Sequence, residues 1–335
     1  MDKPVIYLET GSLDPYYNLA FEEYVLRCRK EGDYLLLWQN DRTVVIGQNQ
    51  NAEEEINRAF VEEHQINVVR RITGGGAVYH DLGNLNYSFI TDAAGSGRFS
   101  SDRFMQPVVK AMQALGLQAE ASGRNDLLVE GRKVSGTAQR IFKERILHHG
   151  TLLFDSDLAM VSGALRVDPQ KFRSKSTKSV RSRIGNIRDF LPEDMSLPEF
   201  WTFLKPYLAE NGMVTGALKP DEESAVKALK RDKYDRWSWN FGSSPQYDLT
   251  NKRFWSGGCL EVCLSVAGGN IQEIAFYGDF LAVQPLDEIA AALRGCQFQR
   301  ESVAWVLDRF PVKAYFGGIR KKEILDTMFY SAKPA

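Results

Sequence analysis

The sequence predicts a mixed α+β protein. A large unit with a central β-sheet flanked by helices is followed by a small α+β unit. Three observations carry this. Short apolar runs of strand length alternate with stretches whose apolar residues recur at helical spacing. No internal repeat or low-complexity tract imposes a single period. After a break at Ser243 to Phe254, carrying Pro245, Asp248 and Asn251, the pattern restarts as strand, strand, helix, helix. The two units are therefore drawn as residues 1–243 and 252–335.

In chain order, Val5 to Leu8 reads as a strand and Pro15 to Lys30 as an amphipathic helix with Leu19, Tyr24, Val25 and Cys28 on one side. Tyr34 to Trp38 and Thr43 to Ile46, split by Gln39-Asn40-Asp41-Arg42, suggest a hairpin. Glu53 to His64 reads as one short helix, and Asn67 to Arg71 as a strand. Leu85 to Thr91 alternates as a strand, and Ala93 to Ser100 is a polar loop. Ser101-Asp102 can cap a helix that runs to Leu115 and ends at Gly116. Leu127 to Val129 and Val134 to Thr137 flank a tight turn at Glu130-Gly131-Arg132-Lys133. Thr151 to Phe154 is a strand, and Asp157 to Leu165, Ser196 to Asn211 and Asp221 to Lys233 are helices. The aromatic-dense Tyr234 to Gly242 reads as structural. Strands Leu260 to Val266 and Ile271 to Tyr277 open the second unit. Helices near Pro285 to Leu293, Ser302 to Arg309 and Lys321 to Met328 complete it.

Composition narrows the function classes. The chain of 335 residues is 44% hydrophobic and 25% charged, with a formal net charge of −1. No overall field draws it to nucleic acid or to a membrane surface. No apolar run approaches the ~18–20 residues of a membrane span, and Met1-Asp2-Lys3-Pro4 does not begin a signal pattern. Cys28, Cys259, Cys263 and Cys296 show no metal or redox spacing, so buried thiols in a reducing cytoplasm are expected. With four histidines, a histidine metal site is not expected.

The stretch with most chemical content is Arg70-Arg71-Ile72-Thr73-Gly74-Gly75-Gly76-Ala77-Val78-Tyr79-His80-Asp81. Three glycines permit positive φ and close approach of a ligand to backbone N–H groups. Two preceding arginines suit carboxylate or phosphate. Neither the Walker A spacing nor the dinucleotide GxGxxG spacing is present. The residues themselves fit either a wall for an anionic, partly apolar ligand or a plain glycine-rich hairpin. Arg124-Asn125-Asp126, Lys133-Val134-Ser135-Gly136-Thr137-Ala138 and His148-His149-Gly150-Thr151 adjoin strands; each alone is weak evidence for a site. From Pro169 to Arg188 there is one further feature: seven basic residues interleaved with serine and threonine, without an acidic residue. That segment fits a solvated loop, or one that closes over a phosphate.

Together with Asp14 to Ala20, Val44 to Asn51, Gly123 to Leu128 and Ser179 to Arg183, these motifs closely resemble the lipoate–protein ligase A family, whose fold is shared with biotin ligases and octanoyltransferases. The resemblance spans nearly all of the chain. It implies a biotin/lipoate ligase-like catalytic domain with a small C-terminal accessory domain. It also implies a two-step reaction: lipoate and ATP, with Mg2+, give lipoyl-AMP, and the lipoyl group then passes to a lysine of a carrier domain. The implied carriers are acyltransferase subunits of 2-oxo acid dehydrogenases and the glycine-cleavage H protein, in the cytoplasm.

Residue by residue, the resemblance implies Lys133 as the catalytic residue. Arg71, Gly76, Ala77, Val78, Tyr79, Lys133, Gly136 and Ala138 would bind ATP and the adenylate. Arg70, Ile72, Thr73, Gly74, Gly75, Lys133 and His149 would bind lipoate. Lys171, Lys175, Lys178, Arg181 and Arg183 would lie in a loop covering the adenylate, and Asp126 would be a metal ligand. Many relatives have two small residues before the glycines, where Ile72-Thr73 stands here; a bulkier Ile72 would alter the lipoyl pocket. Two rival readings are a carrier-to-carrier acyltransferase and a non-catalytic lipoyl-domain binder. The first needs a cysteine nucleophile, and no cysteine adjoins these motifs in sequence.

Overall fold

The computed structural model describes residues 4–93, 102–123, 125–166, 184–241 and 249–329. The elements run β1 (Val5–Glu9), α1 (Pro15–Cys28), β2 (Tyr34–Trp38), β3 (Thr43–Ile46), α2 (Ala52–Glu55), α3 (Arg58–Glu63), β4 (Asn67–Arg70), β5 (Val78–His80) and β6 (Asn84–Asp92). Then come α4 (Asp102–Ala114), β7 (Ala119–Ser122), β8 (Asp126–Val129), β9 (Arg132–Phe142), β10 (Arg145–Leu153), α5 (Leu158–Ala164), α6 (Leu197–Leu208), β11 (Met213–Thr215), α7 (Pro220–Leu229) and α8 (Trp237–Asn240). The last set is β12 (Leu249–Trp255), β13 (Gly258–Ala267), β14 (Asn270–Gly278), α9 (Asp287–Leu293), α10 (Arg300–Leu307), α11 (Val312–Phe316) and α12 (Lys321–Met328).

Eight strands form the main sheet in the order β11-β1-β2-β6-β10-β9-β8-β7. Strand alternation assigns side chains to its two faces. Leu35 and Leu37 of β2 pack under α4 and α6. Leu36 and Trp38 pack on the other face, against Leu19, Phe21, Val25 and Leu26 of α1. Helix α1 begins where Asp14 accepts from the backbone N–H groups of Tyr16 and Tyr17, with Pro15 at its first position. Such a cap contributes about 1 kcal/mol. A second sheet, β4-β3-β5, lies on the α1 side. The third, β12-β13-β14, carries its own core with α9, α10, α11 and α12.

Several elements differ from the sequence reading. Strands β2 and β3 are not a hairpin: β2 pairs with β1 and β6, and β3 with β4 and β5. All five residues of β2 are buried, as befits a strand with partners on both edges. The intervening Gln39-Asn40 is held by Asn18 of α1 instead of forming a turn. The helix expected over Glu53 to His64 is two pieces, α2 and α3. Strand β12 occupies much of the expected break. Arg188, grouped by sequence with an unpaired basic run, pairs with Asp155 at 2.6 Å and Asp194 at 2.9 Å. Lys171, Lys175, Lys178, Arg181 and Arg183 lie outside the described residues.

The small C-terminal unit rests on the glycine segment. Gly75 donates its backbone N–H to Phe280 at 3.2 Å, Gly278 donates to Asn49 at 2.6 Å, and Ile141 of β9 donates to Val283 at 2.9 Å. A Cβ on Gly74 would stand 2.7 Å from the Phe280 carbonyl oxygen and 2.8 Å from the Ala282 nitrogen. Glycine is required there by the approach of the second unit.

Candidate functional site

A cleft of about 110 Å³ opens between the glycine segment and the β9-β10 pair. Its mouth is formed by Gly76, Ala77, Asn125, Lys133 and Gly136, all at least partly exposed. Its blind end is formed by Leu19, Trp38, Val45, His80 and Asn86, each 3% exposed or less. His149 lies along one wall.

The glycine wall is built from Arg71. This guanidinium is buried and curls under its own loop. It donates to Thr73 Oγ1 at 2.9 Å and to the carbonyls of Val45, Gly74 and Gly76 at 3.1, 2.7 and 2.8 Å. Tying up the carbonyls from beneath leaves the other side of the loop for a ligand. Gly75 has φ of +89°, and a Cβ on Gly47 would come 2.1 Å from the Gly75 carbonyl oxygen, so both tight positions need glycine. Burial lowers the Arg71 pKa to about 10, which leaves it charged at neutral pH.

Its counter-charge is Glu22 of α1, 1% exposed, reached through a directional chain. Arg71 Nε donates to Thr73 Oγ1, which stands 2.8 Å from His149 Nε2. His149 Nδ1 stands 2.9 Å from Glu22 Oε1. The carboxylate can only accept. In the neutral ring that puts the proton on Nδ1, makes Nε2 the acceptor and orients the Thr73 hydroxyl toward it. From the other side, Trp38 Nε1 donates to Ser88 at 2.9 Å, and Ser88 donates to Glu22 at 2.6 Å.

A second chain fixes His80. Asn18 Nδ2 lies near the carbonyls of Ser12 and Gln39, so its amide orientation is set, and it donates to Asn40 Oδ1 at 2.9 Å. Asn40 Nδ2 is then the donor to His80 Nδ1, at 3.1 Å. The ring must carry its proton on Nε2. Burial, reinforced by Arg71 and His149, lowers the His80 pKa to about 3, so the ring is neutral.

At the mouth, Lys133 lies in β9 beside a bulge where Leu127 pairs with Ser135 but Leu128 with Lys133. A bulge re-aims a side chain. Lys133 Nζ reaches 3.3 Å from the point where a Gly136 Cβ would lie. Its partner is Asp126 Oδ1 at 2.8 Å, with both side chains more than a third exposed.

The structure thus brings together Arg71, Gly75, Gly76, Ala77, Val78, Lys133, Gly136, Ala138 and His149. It puts several other expected residues elsewhere. Arg70 is turned away from the cleft and clamps carbonyls of Gly47, Gln48, Gln50, Trp239 and Asn240. The aromatic segment is its scaffold. Ile72 is packed in the α1 core and does not line the cleft, so its bulk does not narrow the lining. Tyr79 points to the opposite face of β5 from Val78 and His80, into a core with Val44 and Ile46. Thr73 acts through His149, and Gly74 faces the C-terminal unit. Asp126 holds an ammonium group, and among the described residues no cluster of three or more His, Cys, Asp or Glu could hold a metal. A protein-built magnesium cage does not fit there.

Sequence reasoning missed Glu22, Trp38, Asn40 and His80. A signal existed for Glu22: it follows Leu19 by three positions, on the buried stripe of α1, where an acid needs a partner. His148 and His149, adjacent in sequence, are split by strand alternation. His148 stacks on Phe104 under the other face, with ring centroids 4.7 Å apart.

None of the four cysteines lines the cleft, so the walls offer no thiol nucleophile. Residues 14–209 match the lipoyl protein ligase A/B catalytic domain family, and residues 244–328 the bacterial lipoate protein ligase C-terminus. The chain is 42% identical over 321 residues to the lipoate-protein ligase LplJ of Bacillus subtilis strain 168, covering 94% of this chain and 97% of that protein. It also resembles a solved lipoate-protein ligase A bound with ATP, with 31% identity and a TM-score of 0.63 over 72% of this chain and 99% of that one. A bipartite ligase of Thermoplasma acidophilum, solved in a study with its E2 lipoyl domain, is 33% identical with a TM-score of 0.64, covering 74% of this chain and 100% of that one. This chain belongs to the lipoate–protein ligase family and is an ATP-dependent ligase.

Proposed function

We propose that the cleft carries both half-reactions of lipoate–protein ligation. In the first, a lipoate carboxylate oxygen attacks the α-phosphorus of ATP; the new P–O bond forms as pyrophosphate leaves. In the second, the ε-amine of a carrier lysine attacks the lipoyl carbonyl. A C–N bond forms, the C–O bond to phosphate breaks, and AMP leaves while the amine loses its proton.

The observation that carries this reading is Lys133 at the partly exposed rim of a cleft whose buried end is formed by Leu19, Trp38, Val45, His80 and Asn86. From there the ammonium group can meet both the carboxyl oxygen and the α-phosphate, where negative charge must be screened. In transfer it faces the developing oxyanion, a role in which one donor contributes about 3–4 kcal/mol. Gly76 and Ala77 line the same cleft, and backbone N–H groups of such a loop suit phosphate oxygens. Magnesium would enter on the triphosphate, since this ion usually keeps waters and binds through phosphates with few protein ligands. The T. acidophilum relative, studied with an E2 lipoyl domain, supports lipoyl domains as carriers; we extend this to dehydrogenase acyltransferase subunits and the glycine-cleavage H protein.

The test is pyrophosphate release from lipoate and ATP without a carrier. A burst close to one equivalent per enzyme is expected, with turnover on adding a lipoyl domain. No release without carrier, or acylation without ATP, would overturn the reading.

A further inference from the structure

The blind end of the cleft holds one unpaired polar group that the two half-reactions leave unused. His80 Nε2 is buried and has no hydrogen-bond partner among the described residues. The chain from Asn18 through Asn40 makes it a donor and not an acceptor. The ring stands edge-on to Trp38, with centroids 6.2 Å apart, and both line the cleft with Leu19 and Val45. Two amides therefore present one neutral N–H in a buried end whose other polar side chain, Asn86, is already paired with Asn84 and the Trp38 carbonyl. A buried donor without an acceptor is costly, so the site favours an occupant that supplies one.

We propose that His80 is a specificity-determining residue whose Nε2–H selects an acyl tail carrying divalent sulfur over a plain hydrocarbon tail. The inference rests on the placement of lipoate argued above. A carboxylate held at Lys133 sends its tail toward Trp38 and His80. The tail ends in a dithiolane, whose sulfurs are polarisable and accept weak hydrogen bonds. An octanoyl chain fills similar space but leaves the donor facing methylene groups. Discrimination then arises from a buried polar group left unpaired by the wrong substrate, which separates ligands better than shape alone.

The experiment compares kcat/KM for lipoate, octanoate and 5-cyclopentylpentanoate, which keeps the ring and lacks sulfur. In the unaltered enzyme, lipoate should exceed 5-cyclopentylpentanoate by roughly tenfold, equivalent to about 1.4 kcal/mol. His80→Leu should lower the lipoate value by a similar factor and leave octanoate within twofold. His80→Gln, whose amide can place a donor near Nε2, should retain most of the preference. Equal rates for lipoate and the carbocycle in the unaltered enzyme overturn the proposal without relying on any variant. Equal losses for lipoate and octanoate in His80→Leu also overturn it, by showing that Nε2–H serves a group common to both. If neither rate changes, the tail does not reach His80; the placement of lipoate then fails, while pyrophosphate release stands as its own test of the ligase reaction.

Discussion

The two ends of the cleft are built on opposite plans. At the mouth, Lys133 has a single ion-pair partner among the described residues, and both it and Asp126 are more than a third exposed. At the blind end, Glu22, Asn18, Asn40, Ser88 and Trp38 are each 3% exposed or less and joined by oriented hydrogen bonds. A half-exposed ion pair contributes roughly 0–1 kcal/mol and is easily exchanged for a ligand oxygen. A buried network with a charge at its end is stiff, because loss of one member strands another. The difference separates tasks. The end that performs chemistry keeps a cation free to change partners, whereas the end that reads the substrate is fixed before the substrate arrives.

If this division holds, the largest effect belongs to the mouth. Lys133→Ala should reduce carrier lipoylation by 100-fold or more, since it removes the charge that faces phosphate and carbonyl. Its thermal transition should stay within about 2 °C of the unaltered protein, because a surface ion pair is worth little. Retention of more than about a tenth of the turnover would show that the role of Lys133 is misassigned.

The next effect tests the stiff end. Glu22→Gln keeps an oxygen that can accept from Ser88 and His149 but removes the buried charge that answers Arg71. Thr73→Val cuts the same chain on the other side of His149. Each should lower adenylation roughly tenfold by loosening the Arg71 loop. In the double variant the losses should not add, because both act through one network. Pyrophosphate-exchange kinetics on the two single variants and the double decide the matter; additive losses would mean that the chain is not a unit.

Stability against pH sharpens the comparison further. Burial lowers His80 and His148 to about 3, from 6.5 in an unfolded chain. The unfolded state therefore binds more protons between those values. The stabilisation is fully present above pH 6.5 and lost as pH falls toward 3. Each histidine contributes a slope of about 1.4 kcal/mol per pH unit in that window. His148→Phe, which keeps a ring against Phe104, should remove one such slope between pH 6 and 5 in denaturant titrations. An unchanged slope would mean that His148 is charged in the fold.

Much of the mouth was legible in sequence, and the blind end was not. Lys133 and Gly136 stand three residues apart on β9 and the three glycines are consecutive, so linear order carries each motif, and the family resemblance joined the two motifs into one site. The blind end draws Glu22 from α1, Trp38 from β2, His80 from β5 and His149 from β10. Only the pairing of those elements brings them together. Arg70 and Arg71 show the limit most directly. As neighbours at the end of β4 they make opposite contacts, and no composition signal tells which side chain meets the cleft. Strand and helix positions were recovered where apolar periods were long. They failed at β2-β3, where two buried runs with a polar break look like a hairpin and are strands of different sheets.

The smallest effect concerns Asp126. As a metal ligand, its loss would strip a divalent cation from the reacting phosphates and cost orders of magnitude. As the resting partner of Lys133, its loss removes one half-exposed ion pair. The geometry favours the second role: the carboxylate faces an ammonium group at 2.8 Å, and among the described residues no cluster of other potential ligands accompanies it. Asp126→Asn keeps the size and one acceptor oxygen. Its kcat should stay within about threefold of the unaltered enzyme, the equivalent of ~0.7 kcal/mol. The magnesium concentration giving half-maximal adenylation should not move. A tenfold rise in that concentration, with lipoate KM unchanged, would make Asp126 a metal ligand and would show that the ion pair with Lys133 gives way when nucleotide binds.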